Sequence, residues 1–234
     1  MINLVEISKK FNLLLKEVVS FGEVKVVLVT KYVSDSTVLV KLSDIGVTDL
    51  AENYAQNLEK RFSDFCSLNE DFYKYNWHFI GHLQSNKVKK VVPKVVLIQS
   101  VDSFSLLAKI DEESKSINKV QSCLLELKVS EEETKFGIKE DDICKVLDEN
   151  VRARFQNVEI VGLMTMAPYF EDKELARPYF KRARWVFENI KSLYKDKLQN
   201  FKWLSMGMSN DYLVALEEGA NMIRIGSKIF GEVS

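Results

Sequence analysis

The hydrophobic pattern of this chain changes period repeatedly. Leu4, Ile7, Phe11, Leu14, Leu15 and Val18 recur at helical spacing, so residues 1–22 are expected to form a leading amphipathic helix that Gly22 closes. The next run, Val24–Lys31, is continuously apolar apart from its lysines and threonine, as in a strand buried on both faces. Ser34 or Asp35 can cap a helix that reaches about Ile45 and stops at Gly46. Seven more strand-like runs follow, at Val47–Glu52, Trp77–Ile80, Val95–Gln99, Ser122–Val129, Val158–Thr165, Lys202–Ser205 and Asn221–Ile225. Helix-like stretches separate them: Tyr54–Phe65, Asn86–Val92, one from Ser103, Glu140–Phe155, one from Glu171 past Tyr194, and Asn210–Glu218 with Gly219 as its stop.

Eight strands, each followed by a helix or the chain end, predict an α/β fold: a single (β/α)8 TIM barrel over residues 1–234, preceded by the leading helix. The alternative is an open doubly wound sheet, which the lack of a G-x-G-x-x-G after the first strand weakens. Three prolines and nine glycines leave no visible linker.

Composition narrows the function. The 234 residues are 46% hydrophobic and 29% charged, and 33 Lys+Arg against 34 Asp+Glu leave a net charge of −1. No nucleic-acid footprint or polybasic membrane surface is expected from that balance. The lysines between Lys87 and Lys94 are punctuated by valines and a proline, as on the solvated side of a helix. Cys66, Cys123 and Cys144 are odd in number, far apart and without C-x-x-C, which supports neither a disulfide framework nor a zinc knuckle. Nothing approaches the ~18 apolar residues of a membrane span. A cytoplasmic location is expected.

Candidate chemistry begins with Lys31. Side chains alternate along a strand, so Val27, Val29 and Lys31 share a side. A lysine there either breaks into solvent or offers a desolvated amine that attacks carbonyls. The loops after the last two strands, Leu204–Ser209 and Ile225–Lys228, stand where barrels of this type bind phosphate; Ser209 is a natural N-cap, and Gly226 and Ser227 permit close approach and hydrogen bonding. Arg224 shares a strand face with Gly226, so it points inward and needs an acceptor: an inward carboxylate or a heteroaromatic ligand nitrogen. His78 and His82 form H-x-x-x-H on a strand and turn rather than a helix, which favours pocket lining or loop hydrogen bonding over metal; no metal is expected.

The stretches Val27–Lys31, Glu52–Tyr54, Trp77–Lys87, Gly162–Met166, Leu204–Ser209 and Ile223–Gly231 resemble the motifs of the pyridoxal 5′-phosphate homeostasis proteins, the YggS/PROSC family, similar to the barrel domain of bacterial alanine racemase. The resemblance implies pyridoxal 5′-phosphate as cofactor, with Lys31 forming the internal aldimine. It implies Ser205, Gly226 and Ser227 at the phosphate, Arg224 at the pyridine nitrogen, and Asn53, His78 and Met206 bordering the cofactor. Leu50 and Ala51 replace the family's usual Phe-Gly before Glu-Asn-Tyr, and Ala51 adds a Cβ near the end of the second strand. The chain ends at Ser234 without the β domain that gives racemases a tyrosine base. Racemisation needs a second acid/base group opposite the lysine. An arginine at the pyridine nitrogen also weakens the ring as an electron sink. The expected function is therefore a monomeric, non-catalytic cofactor reservoir or carrier in pyridoxal phosphate homeostasis, with apo pyridoxal-phosphate enzymes as recipients. The alternatives are a weak amino-acid racemase or related aldimine enzyme, and a barrel binding another phosphorylated metabolite.

Overall fold

The structure is a computed structural model and describes residues 3–130, 136–153 and 155–231. Residues 1–2, 131–135 and 232–234 of the expected 1–234 span, and Arg154 of the expected 140–155 helix, lie outside the described residues.

The described residues form nine strands: β1 Lys25–Val29, β2 Asp49–Glu52, β3 Asn76–Phe79, β4 Leu97–Val101, β5 Gln121–Lys128, β6 Ile138–Lys139, β7 Val158–Met164, β8 Trp203–Ser205 and β9 Met222–Ile225. All pair in parallel, in the order β4-β3-β2-β1-β9-β8-β7-β5, and a β4–β5 pairing closes the circle. This is the expected (β/α)8 barrel of eight strands ringed by helices. The two-residue β6 sits outside it, alongside β5.

The helices are α1 Leu4–Val18, α2 Ser36–Leu39, α3 Ala55–Ser67, α4 Val88–Val91, α5 Phe104–Ser116, α6 Glu140–Ala153, α7 Arg177–Leu193, α8 Tyr212–Glu217 and α9 Ser227–Phe230. Helix α1 buries Ile7, Phe11, Leu14 and Val18 but leaves Leu15 exposed, so its apolar stripe is narrower than its sequence suggests. Asp35 rather than Ser34 caps α2, accepting from the Thr37 N–H. The helix expected to reach Ile45 is one short turn followed by a 3-10 turn at Leu42–Ile45. The helix expected from Glu171 begins at Arg177, after a 3-10 turn over Lys173–Ala176.

Two apolar clusters explain the continuous hydrophobic runs. One lies inside the barrel and contains Val27, Val29, Ala51, Leu97, Leu124, Val161, Met164 and Met222. The larger one lies between barrel and helices and takes the alternate positions, such as Leu28, Leu50, Ile98, Leu125 and Ile223. Each fully buried aliphatic side chain is worth about 1.5–3 kcal/mol of transfer free energy. Because all eight barrel strands run the same way, their carboxyl ends gather at one mouth.

Candidate functional site

A cavity of about 460 Å3 opens at that mouth, and its polar lining includes Lys31, Asn53, Glu126, Arg224, Gly226 and Ser227. Lys31 lies two residues past the end of β1, on the inward side that Val27 and Val29 begin. Its Nζ sits 4.6 Å from the centroid of the Tyr32 ring. Among the described residues no carboxylate pairs with it. Among the described residues the amine is therefore uncommitted, as a nucleophile requires.

Lys31 and Asn53 are held from behind. The residue before each, Thr30 and Glu52, faces the shell and is fully buried. Thr30 donates its hydroxyl hydrogen to Glu52 Oε1 at 2.7 Å, and Arg61 of α3 donates Nε–H to the same oxygen at 3.0 Å. Arg61 also donates from Nη2 to the Thr30 carbonyl at 3.0 Å. One buried guanidinium thus ties the ends of β1 and β2 together. The Asn53 side-chain oxygen is buried and has no hydrogen-bond partner among the described residues. It offers an unmet acceptor at the cavity wall.

Arg224 is only 3% exposed. Burial pushes its pKa down to about 10, opposed by the nearby Asp211 and Glu126 carboxylates. Neither carboxylate binds it directly: Nη1 donates to Ser205 Oγ at 2.6 Å and Nη2 to the Thr165 carbonyl at 2.9 Å. Its acceptors within the protein are therefore a hydroxyl and a carbonyl rather than an inward carboxylate.

Three expected contacts move away from the cavity. Ser205 is fully buried and its hydroxyl is committed to Arg224 and to Gln99 Oε1 at 2.7 Å, so it is closed to an incoming phosphate. Met206 packs into the outer core rather than the mouth. His78 sits inside the barrel, hydrogen-bonded to Gln99 and Asp49. The chain turns at Gly207, whose φ of +91° favours glycine, and a Cβ there would come within 2.6 Å of the Ala215 side chain. That turn brings Met208 and Ser209 to the cavity instead. Ser209 does not cap α8, whose N-cap is Asp211. Its Oγ accepts instead from the N–H groups of Gly226 and Lys228 at 3.1 and 3.3 Å, joining the two loops expected to meet phosphate.

The H-x-x-x-H pair is split. While His78 lies in the barrel, His82 is at the rim, stacked on Phe136 with centroids 3.7 Å apart and 3.1 Å from an Asp102 carboxylate oxygen. Among the described residues no three His, Cys, Asp or Glu side chains cluster as a metal site, and no helix is long and apolar enough to cross a membrane.

Glu126, Gln99 and Arg61 have no place in the sequence reading. Glu126, on the inner side of β5, is 4% exposed; burial, with Asp102 adding and Arg224 opposing, pushes its carboxyl up to about 7. The only signal for Glu126 and Gln99 is a polar residue inside an apolar strand.

A family model, alanine racemase N-terminal domain, matches residues 2–233. The chain is 38% identical over 195 residues to the pyridoxal phosphate homeostasis protein of Aquifex aeolicus, covering 83% of this chain and 81% of that protein. To the human protein of the same name it is 32% identical, covering 80% of this chain and 69% of that one. The solved structure of PipY from Synechococcus elongatus with pyridoxal phosphate bound superposes with a TM-score of 0.84 at 26% identity, over 96% of this chain and all of that one. An alanine racemase from Clostridium difficile shares the fold, with a TM-score of 0.72 at 14% identity over 99% of this chain and 58% of that one.

Proposed function

The chain belongs to the alanine racemase N-terminal domain family, and within it to the pyridoxal phosphate homeostasis proteins; from that membership we propose that it binds pyridoxal phosphate at the barrel mouth and serves as a cofactor reservoir or carrier. The observation that carries this reading is the convergence of a lysine amine, a buried arginine and a serine-glycine loop pair on one cavity. Bound there, pyridoxal phosphate supplies an electrophilic aldehyde and an electron-accepting ring.

The residues present fit that group. Lys31 supplies the amine for the aldehyde. Arg224 presents a guanidinium that cannot act as an acid at neutral pH, so a ring nitrogen beside it accepts a hydrogen bond and stays unprotonated. Ser209, Gly226 and Ser227 hold the phosphate end, with Ser209 in the place expected for Ser205. Asn53, with its unmet oxygen, borders the ring. The roles expected for His78 and Met206 as direct contacts find no support in their positions.

A carrier needs secure holding without turnover, and Arg224 discourages carbanion chemistry. Apo enzymes that use the same cofactor are the recipients. Glu126 favours a second reading, a weak aldimine-type enzyme, because it places a titratable acid in the same cavity as Lys31. Incubating the loaded protein with L- or D-alanine in deuterium oxide separates the two. Exchange at Cα far slower than ~1 s⁻¹ fits the carrier; exchange at or above that rate makes it an enzyme. Absence of any borohydride-reducible attachment would sink both.

A further inference from the structure

Below Arg224 a single file of polar side chains descends through the barrel. Arg224 donates to Ser205 Oγ at 2.6 Å, and Ser205 stands 2.7 Å from Gln99 Oε1. Gln99 Nε2 lies 2.8 Å from His78 Nδ1, and His78 Nε2 lies 3.0 Å from Asp49 Oδ1. Lys25 closes the far end at 2.9 Å from the same Asp49 oxygen. All of these but Lys25 are buried, and only Arg224 among them lines the cavity.

The two ends fix the direction of every bond between them. A guanidinium only donates. Asp49 only accepts: burial alone would raise its pKa, but hydrogen bonds from His78, Thr48 and Lys25 outweigh it and hold the group well below the usual carboxylate range. Ser205 must accept from Arg224, so its own hydrogen goes to the Gln99 carbonyl oxygen. That choice turns the Gln99 amide toward His78 Nδ1, which must then carry no proton. His78 is left neutral with its proton on Nε2, facing Asp49, and burial also pushes its pKa down. One amide orientation and one tautomer satisfy the whole file.

We propose that Ser205, Gln99 and His78 are positioning residues that act through Arg224, locking its guanidinium in the orientation that meets the cofactor ring. The inference rests on the pyridoxal phosphate reading and deepens it. Arg224 has two buried carboxylates within electrostatic reach, Glu126 and Asp211. The Ser205 and Thr165 bonds hold it away from both, so its cavity-facing surface stays available. Their loss frees the guanidinium to turn toward an acid.

Two measurements test this. The first needs no cofactor: 15N spectroscopy of the imidazoles at neutral pH, assigned with His82→Gln, since the chain has only two histidines. His78 is expected neutral with hydrogen on Nε2; hydrogen on Nδ1, or an imidazolium, overturns the relay. The second is a double-mutant cycle on the dissociation constant of pyridoxal phosphate. Gln99→Leu should weaken binding about tenfold in the wild-type background, a lost hydrogen bond's worth, and add nothing in an Arg224→Lys background. An equal loss in both backgrounds makes Gln99 merely structural and overturns the proposal. Ser205→Ala runs the same cycle if Gln99→Leu does not fold. Failure of the cofactor reading shows separately, as a wild-type protein that takes up no cofactor while its His78 tautomer still reports the relay.

Discussion

Gly81 packs so tightly beneath Asn53 that a Cβ built on it would lie 1.9 Å from the Asn53 carbonyl oxygen. The neighbour is backbone, which cannot step aside as a side-chain tip can. Gly81→Ala must therefore displace the end of β2, and Asn53 lines the cavity with it. Destabilisation of about 1–3 kcal/mol is expected, as for overpacking elsewhere, together with weaker cofactor binding. Thermal unfolding and a cofactor titration of the variant check both; an unshifted melting temperature with unchanged affinity would contradict the close approach.

Lys31→Ala should fold and lose covalent attachment. Borohydride treatment of the wild type with pyridoxal phosphate, followed by peptide mass mapping, is expected to place the reduced adduct on the Lys31 peptide. In the variant the adduct should vanish while circular dichroism stays unchanged. An adduct of equal yield on another lysine would move the site.

Ser209→Ala removes the acceptor shared by the Gly226 and Lys228 N–H groups. Each lost hydrogen bond is worth about 0.5–1.5 kcal/mol, and one to a charged phosphate about 1.5–3 kcal/mol. Cofactor dissociation should speed by roughly tenfold or more. Stopped-flow trapping of released aldehyde measures it, and an unaltered rate would detach this loop from the phosphate.

Arg61→Leu leaves Glu52 buried without its countercharge. Breaking a buried pair by removing one partner costs about 3–5 kcal/mol. Urea denaturation should show a loss of that size. Restoring part of it with Glu52→Gln on top of Arg61→Leu would show that the stranded charge, rather than lost packing, is responsible.

Glu126 gives the protein a pH-dependent stability of known sign. Its carboxyl is raised from 4.5 to about 7 by burial. The folded state therefore keeps a proton that the unfolded chain releases across that interval. The contribution is fully present below about 4.5 and lost as pH climbs through about 7, amounting to about 3 kcal/mol. Glu126→Gln cannot ionise, so its stability relative to wild type should grow between those pH values. Parallel curves for the two proteins would place the carboxyl in water.

The parts of the fold legible in the sequence were those governed by period. All eight barrel strands fall within a few residues of the runs that predict them, because most positions on both faces of each strand are buried and apolar, with only scattered polar residues between them. Lys31 and Arg224 were legible because charge stands out at the end of, or within, such a run. What escaped depends on how the chain bends between elements. Ser205 and Ser209 differ in nothing that spacing reveals; the turn at Gly207 leaves one inside the barrel and carries the other to the mouth. Gln99 sits in an unremarkable strand, and its role appears only once the barrel closes and Ser205 and His78 stand on either side of it. Nothing in the helical run around Arg61 sets it apart; only the packing of α3 shows that it is buried.

Within the barrel the first strand pairs with the last, Val27 lying in register with Arg224. Lys31 and Arg224 thus come from the two ends of the described chain and meet only when everything between them is in place. During synthesis the amine emerges long before the arginine, and pairing between segments so far apart in sequence slows folding. A nascent or truncated chain can present the lysine but has no site. The cavity that brings Lys31 together with Arg224, Gly226 and Ser227 is thus a property of the completed barrel and of no shorter piece of it.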